Sequence, residues 1–178
     1  MSRWPRSETV KIGGHWWLSE NLNYESTEGS WCYDDNPDNC DKYGRLYDWD
    51  EADIVCPDGW ELASDSKWKD LEIALGMTES DSNDDGWRND GEVGIKMKSS
   101  SGWSSSGNGN NQSQFNGLPA GYRDADKTFK DMSKTARFWT STDAGDNAWA
   151  RYLEFDQEGV ERAEKGKERG MAVRCVKK

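Results

Sequence analysis

The sequence predicts an α+β domain, and three observations lead there. Two runs with helical spacing of apolar residues lie in the first half of the 178-residue chain. Strand-like runs stand at both ends, separated by a long polar stretch. Eleven tryptophans supply the material of an aromatic core. A mean hydropathy of −1.09 would by itself suggest disorder. Disordered chains are poor in aromatics, whereas each buried Trp removes a large apolar area from water.

The elements follow in order. Residues 9–12 alternate polar and apolar, Gly13-Gly14 turns the chain, and 15–18 completes a hairpin. Residues 25–42 are acidic and turn-forming. Residues 47–55 carry Trp49, Ala52 and Val55 at helical spacing. The second helix has Ser64 as N-cap, Asp65 in its first turn and Gly76 as its stop. Trp68, Leu71 and Leu75 share its apolar face, with Lys67, Lys69, Asp70 and Glu72 expected to point away. Residues 78–92 read as polar loop and 94–98 as a short strand. The Ser-, Gly-, Asn- and Gln-rich stretch 99–114 reads as a long loop within one domain. Further strand-like runs lie at 118–123, 128–130, 137–142, 148–156, 160–163 and 170–176.

Charge narrows the partners. A net charge of −11 repels phosphate backbones and anionic lipids, which argues against nucleic acid. No apolar run reaches the roughly 20 residues needed to span a bilayer, so no membrane insertion is expected. Residues 1–8 read as an N-terminal extension without an apolar signal segment, ahead of a single domain at 9–178. Export would then rely on a signal already removed or on another route. Of the four cysteines, Cys32 and Cys40 bracket a turn-rich loop that a local disulfide could staple, leaving Cys56 and Cys175. Four cysteines allow three connectivities, and the sequence does not choose among them. One histidine and no C-x-x-C argue against zinc.

Nine short motifs, in order, carry a resemblance. They include Glu20-Asn21-Leu22-Asn23-Tyr24, Tyr43-Gly44-Arg45-Leu46-Tyr47 and Cys56-Pro57-Asp58-Gly59-Trp60. Gly86-Trp87-Arg88, Leu118-Pro119-Ala120-Gly121-Tyr122-Arg123, Phe138-Trp139-Thr140-Ser141-Thr142 and Ala172-Val173-Arg174-Cys175-Val176 continue the series. Together they resemble the Fibrobacter succinogenes major paralogous domain family. That family is similar to the C-type lectin fold, to the formylglycine-generating-enzyme group and to retroelement-diversified variable proteins. The resemblance implies two helices, small antiparallel sheets, long polar loops and paired terminal strands. It also implies a Cys56–Cys175 bridge between the early helical region and the last strand, and an extracellular or cell-surface setting. Ala63 departs from the Pro usual in the family before the helix.

Each candidate site has a plainer reading beside it. Copper-holding relatives use two reactive cysteines, but here every cysteine has a disulfide partner to hand. Iron-dependent relatives need several histidines, and this chain has His15 alone. A Ser-His-Asp set lacks the usual G-x-S-x-G elbow. The segment 81–92 matches a calcium loop, with Asp81, Asn83, Asp85 and Glu92 as ligands and Gly86 at the turn. Arg88 stands where that loop wants an apolar residue. The candidate ligand-binding face is C-terminal and comprises Asp143, Asp146, Trp149, Arg151, Tyr152, Glu154 and Arg162. Its plainer reading is that the aromatics belong to the core or its rim. Retroelement diversification stays open only at Asp143, Gly145, Asp146, Arg151 and Tyr152, because adenine-mutated Asn codons cannot yield Trp149, Glu154, Gln157, Glu161 or Lys165. The expected function is a non-catalytic binding or adhesion domain for a protein or glycan. An oxidase of the formylglycine-generating type and a structural envelope protein are the alternatives.

Overall fold

Gly13 and Gly14 join β1 (Thr9–Ile12) to β2 (His15–Leu18), the predicted hairpin. The computed structural model describes residues 8–178, so the expected N-terminal extension lies almost wholly outside the described residues. β3 (Ser30–Trp31) leads to α1 (Pro37–Tyr43), inside the segment expected only to turn. Asn36 accepts a hydrogen bond from the Asp38 N–H, and Pro37 takes the first helical position. β4 (Leu46–Tyr47) precedes α2 (Trp49–Ile54), the first predicted helix, capped by Asp48. β5 (Trp60–Leu62) precedes α3 (Asp65–Ala74), where Ser64 accepts from the Lys67 N–H as expected of an N-cap.

The segment 78–92 is more ordered than a loop. It holds α4 (Glu79–Asn83), capped by Thr78, and β6 (Gly86–Arg88). Next comes α5 (Val93–Met97), which corrects the strand expected at 94–98. Val93, Gly94 and Met97 are buried at helical spacing, whereas a strand would have buried alternate residues. A Cβ on Gly94 would lie 2.0 Å from the Gly159 carbonyl oxygen, so only glycine lets α5 sit this close to the chain behind it.

The remaining strands are β7 (Tyr122–Arg123), β8 (Phe129–Lys130), β9 (Thr135–Ala144), β10 (Asn147–Glu154), β11 (Val160–Gly166) and β12 (Cys175–Lys177). Two four-stranded antiparallel sheets run in the orders β1-β2-β12-β5 and β6-β11-β10-β9. β12 pairs with β2 and β5, which brings the N- and C-terminal strands together.

Two apolar clusters fill the interior. The first centres on Trp17, Trp68, Phe115 and Phe138, all fully buried. Their rings meet at centroid distances of 5.1–5.9 Å, edge-on or tilted, as ring quadrupoles prefer. Phe115 and Trp103 bring the polar stretch 99–117 into this core. That stretch is also pinned by backbone bonds from Ser99 N to Gly117 O and from Gly117 N to Met97 O. The second cluster packs Tyr47, Trp139, Tyr152, Met171 and Val173 against α2 and β5.

Disulfides join Cys32 to Cys40 and Cys56 to Cys175, across 8 and 119 positions of sequence. Cross-linking removes more freedom from the unfolded chain as the loop lengthens. Replacing Cys56 and Cys175 together by Ala is therefore expected to cost about 4–5 kcal/mol, and replacing Cys32 and Cys40 about 2–3 kcal/mol. Urea unfolding of the two double variants checks the order. Equal losses would mean that loop length does not govern these bridges.

Candidate functional site

Three neighbouring strands each place an arginine opposite α3. Arg88 comes from β6, Arg162 from β11 and Arg151 from β10. Arg151 and Arg162 are register partners, so their like charges stand side by side. Asp65 and Glu72, two turns apart on α3, hold them there. One Asp65 oxygen accepts from Arg151 at 2.7 Å and from Arg162 at 2.9 Å. Glu72 accepts two bonds from Arg88, at 2.7 and 2.8 Å, and one from Arg151 at 2.6 Å. Arg162 also pairs with Asp85, and its guanidinium lies 3.7 Å from the Trp149 ring centroid. Burial alone would raise the Asp65 carboxyl. The hydrogen bonds and charges of Arg162 and Arg151 outweigh that and hold it far below the usual carboxylate range.

This network corrects the expected C-terminal face. Arg151 is 0% exposed, and Tyr152 and Arg162 are also buried. Tyr152 points to the other side of the sheet, into the second apolar cluster beside Arg137. Glu154 is half-buried 3.9 Å from Arg137, and burial raises its carboxyl. Trp149 sits at a bulge in β10 and covers Arg162 from the rim. Asp143 and Asp146 alone are fully exposed, at the β9–β10 turn. Asp143 pairs with Lys167 at 2.8 Å, which lowers its pKa. The structure thus divides the seven residues among an ion network, a second core and a hairpin tip. Glu72, expected to point outward, is 0% exposed for the same reason as Arg151. Arg151 and Tyr152, two of the five positions left open to diversification, are buried.

The calcium-loop reading meets a different local structure. Asp81 and Asn83 belong to α4, Asp85 is engaged by Arg162, and Arg88 faces Glu72 inside the core. Among the described residues no three His, Cys, Asp or Glu side chains converge as a metal site would require. His15 Nε2 donates to the Asp70 carboxylate of α3 at 2.9 Å, tying the first hairpin to that helix.

A further concave surface lies elsewhere, in a cavity of about 250 Å³. It is built by the segment 20–23, by α1 and its stapled approach, and by Asn116 and Leu118 from the long polar stretch. Gly44 ends α1 with a φ of 78°, and a Cβ there would come within 2.7 Å of Asn21. Glycine therefore sets how closely α1 approaches the segment 20–23. Arg174, 0% exposed, holds this region from beneath. It donates to Asn21 Oδ1 at 2.8 Å, to Asn116 O at 3.0 Å, and to the Leu18 and Phe115 carbonyls. Burial pulls its pKa down to about 9, so it stays charged at neutral pH. The side chains of Glu20, Asn23, Asp41 and Asn116 line the cavity and make no hydrogen bond or ion pair among the described residues. Sequence periodicity could not find them. The one signal was the Glu20–Tyr24 motif, read above as a family mark.

Comparison with known families matches residues 10–177 to the Fibrobacter succinogenes major domain. The chain belongs to that family. The match to the Fibrobacter succinogenes major domain takes in both disulfides, the arginine network and the residues lining the cavity. Comparisons with curated proteins and with solved structures found no match.

Removing one partner from a buried ion network leaves the others uncompensated. Arg151→Met is expected to cost about 3–5 kcal/mol of stability, measured by denaturant unfolding. A loss below about 1 kcal/mol would show that the network does not clamp α3 to the sheet. The folded pKa of Asp65 is depressed. Its stabilisation is complete above the unfolded-state value near pH 4 and drains as pH falls below that. Asp65→Asn should flatten this acid limb of a stability–pH curve. An unchanged limb would assign it to other carboxylates.

Proposed function

We infer that this protein is a non-catalytic binding domain and that the cavity beneath α1, with the shallower groove continuing from it, is its ligand surface. One observation carries the reading. The buried titratable groups around α3 are matched to one another, whereas four polar side chains of the cavity, Glu20, Asn23, Asp41 and Asn116, make no hydrogen bond or ion pair among the described residues. Unpartnered, converging donors and acceptors on a rigid floor are what a ligand site requires.

The surrounding features support this role. Two disulfides suit an oxidising compartment and hence a secreted or surface-displayed domain. No helix among the described residues is long and apolar enough to cross a membrane. All four cysteines are bonded, which argues against the copper chemistry of a formylglycine-generating oxidase. The resemblance to C-type lectin-like proteins is compatible with a scaffold that presents a ligand, protein or glycan, on a loop-built surface. Calcium plays no part in this reading, because the 81–92 donors are dispersed among α4, an ion pair and the core.

Binding to a glycan array and to a panel of surface proteins tests the proposal. The double variant Asn23→Ala/Asp41→Ala should weaken any specific binding at least tenfold. Asp146→Ala and added EDTA should leave it unchanged. Binding that survives the double variant but is lost in Asp146→Ala would move the site to the β9–β10 hairpin. Loss in EDTA would restore calcium.

A further inference from the structure

We propose that the cavity and its flanking groove take a neutral oligosaccharide, held by paired amide and carboxylate side chains; this rests on the groove being the ligand surface. The central cavity shares Glu20 and Asn116 with one shallower concavity. It shares Asn23, Cys40 and Asp41 with another. The three concavities are contiguous through these shared residues, which gives room for more than one sugar ring.

The charge balance selects the ligand class. Two carboxylates, Glu20 and Asp41, line the centre. Lys42 lines the same cavity, and the Arg174 guanidinium lies behind its wall, bonded to Asn21 and Asn116. A ligand of either sign therefore gains little at the centre. The net charge of −11 further repels phosphorylated, sulfated or uronate-rich chains from the surface as a whole.

The side-chain chemistry matches hydroxyls. A primary amide donates and accepts, and a carboxylate accepts at two oxygens. Adjacent hydroxyls on a sugar ring present the complementary donors and acceptors at similar spacing. Asn23 and Asn116 supply unpartnered amides, and Glu20 and Asp41 unpartnered carboxylates, within one cavity. Leu22, Tyr43 and Leu118 add apolar wall for the C–H faces of the rings. The floor is already set before a ligand arrives. The Asn21 amide donates to the Tyr43 carbonyl at 2.8 Å, and the segment is bonded to Val173 and Arg45 through the Leu22 backbone. Preorganisation of this kind reduces the ordering cost of binding.

The experiment uses the full chain, isotope-labelled for NMR, with neutral oligosaccharides of glucose, xylose and N-acetylglucosamine as probes. At least one series should shift the side-chain amide signals of Asn23 and Asn116. Asn23→Ala and Asp41→Asn should each weaken that binding about threefold to tenfold, as expected for one lost hydrogen bond. Both positions are exposed and outside the core, and an unchanged melting temperature would confirm an intact fold. If no neutral oligosaccharide moves these signals, the sugar proposal is overturned. If a Lys- and Arg-rich peptide moves them instead, the sugar class falls while the groove stands. If ligands perturb only the residues around Asp146, both readings fall.

Discussion

Arg151 stands fully buried in the middle of a sheet, and an unpaired charge there would cost several kcal/mol. It is tolerated here because carboxylates face it. Asp65 and Glu72 do so because α3 lies across the sheet with those two residues inward. Arg88 and Arg162 complete the set, and Asp85 supplies a third carboxylate, so three arginines meet three acids. The position of α3 follows from this pairing as much as from its apolar stripe. Trp68 and Leu71 would pack against many surfaces, but the arginines accept one register. Hydrogen-bond direction supplies a specificity that dispersion and area burial lack.

A second buried cation performs a different task. Arg174 has no carboxylate bonded to it and is satisfied instead by Asn21 and three main-chain carbonyls. Those acceptors belong to β2, to the segment after it, and to the far end of the long polar stretch. One side chain thereby draws two distant parts of the chain, 18–21 and 115–116, to the last strand, and its guanidinium lies 4.1 Å from the Phe115 ring centroid. Cys175, the next residue, ties the same strand to the chain before β5. The concave surface above Arg174 shares its floor with this knot, and Cys40 of the Cys32–Cys40 disulfide forms part of its wall.

The candidate C-terminal face shows why a site is harder to read than a fold. Arg, Trp and Tyr mark exposed anchors and buried network members alike, and composition does not distinguish them. Alternation along β10 left both faces with aromatic residues, so it could not say which was covered. Only the placement of α3 over one face and of β4 and α2 over the other decided it. The calcium pattern failed for a related reason. A ligand spacing has meaning only if the segment stays a loop, and here Thr78 caps a helix at its start. Conversely, Asn23, Asp41 and Asn116 lie in polar segments with no periodicity. Nothing local relates residue 23 to residue 116, and a cavity wall is a property of the assembled chain.

What the sequence determined by itself was local or compositional. Polar–apolar alternation specified the first hairpin, Ser64 and the Trp68 stripe specified α3, and the tryptophan count specified an aromatic core. The ordered motifs specified the family. These signals act within a few residues or through total composition, so they survive without coordinates. Tertiary structure alone decided the rest. It turned the expected strand at 94–98 into α5, because Gly94 had to meet the Gly159 backbone. It moved Glu72 and Arg151 from surface to core, because each was the other's compensation. It also gathered Glu20, Asn23, Asp41 and Asn116 around one cavity. The common reason is that burial and charge pairing depend on which distant segment arrives opposite, and that is settled by packing the whole chain.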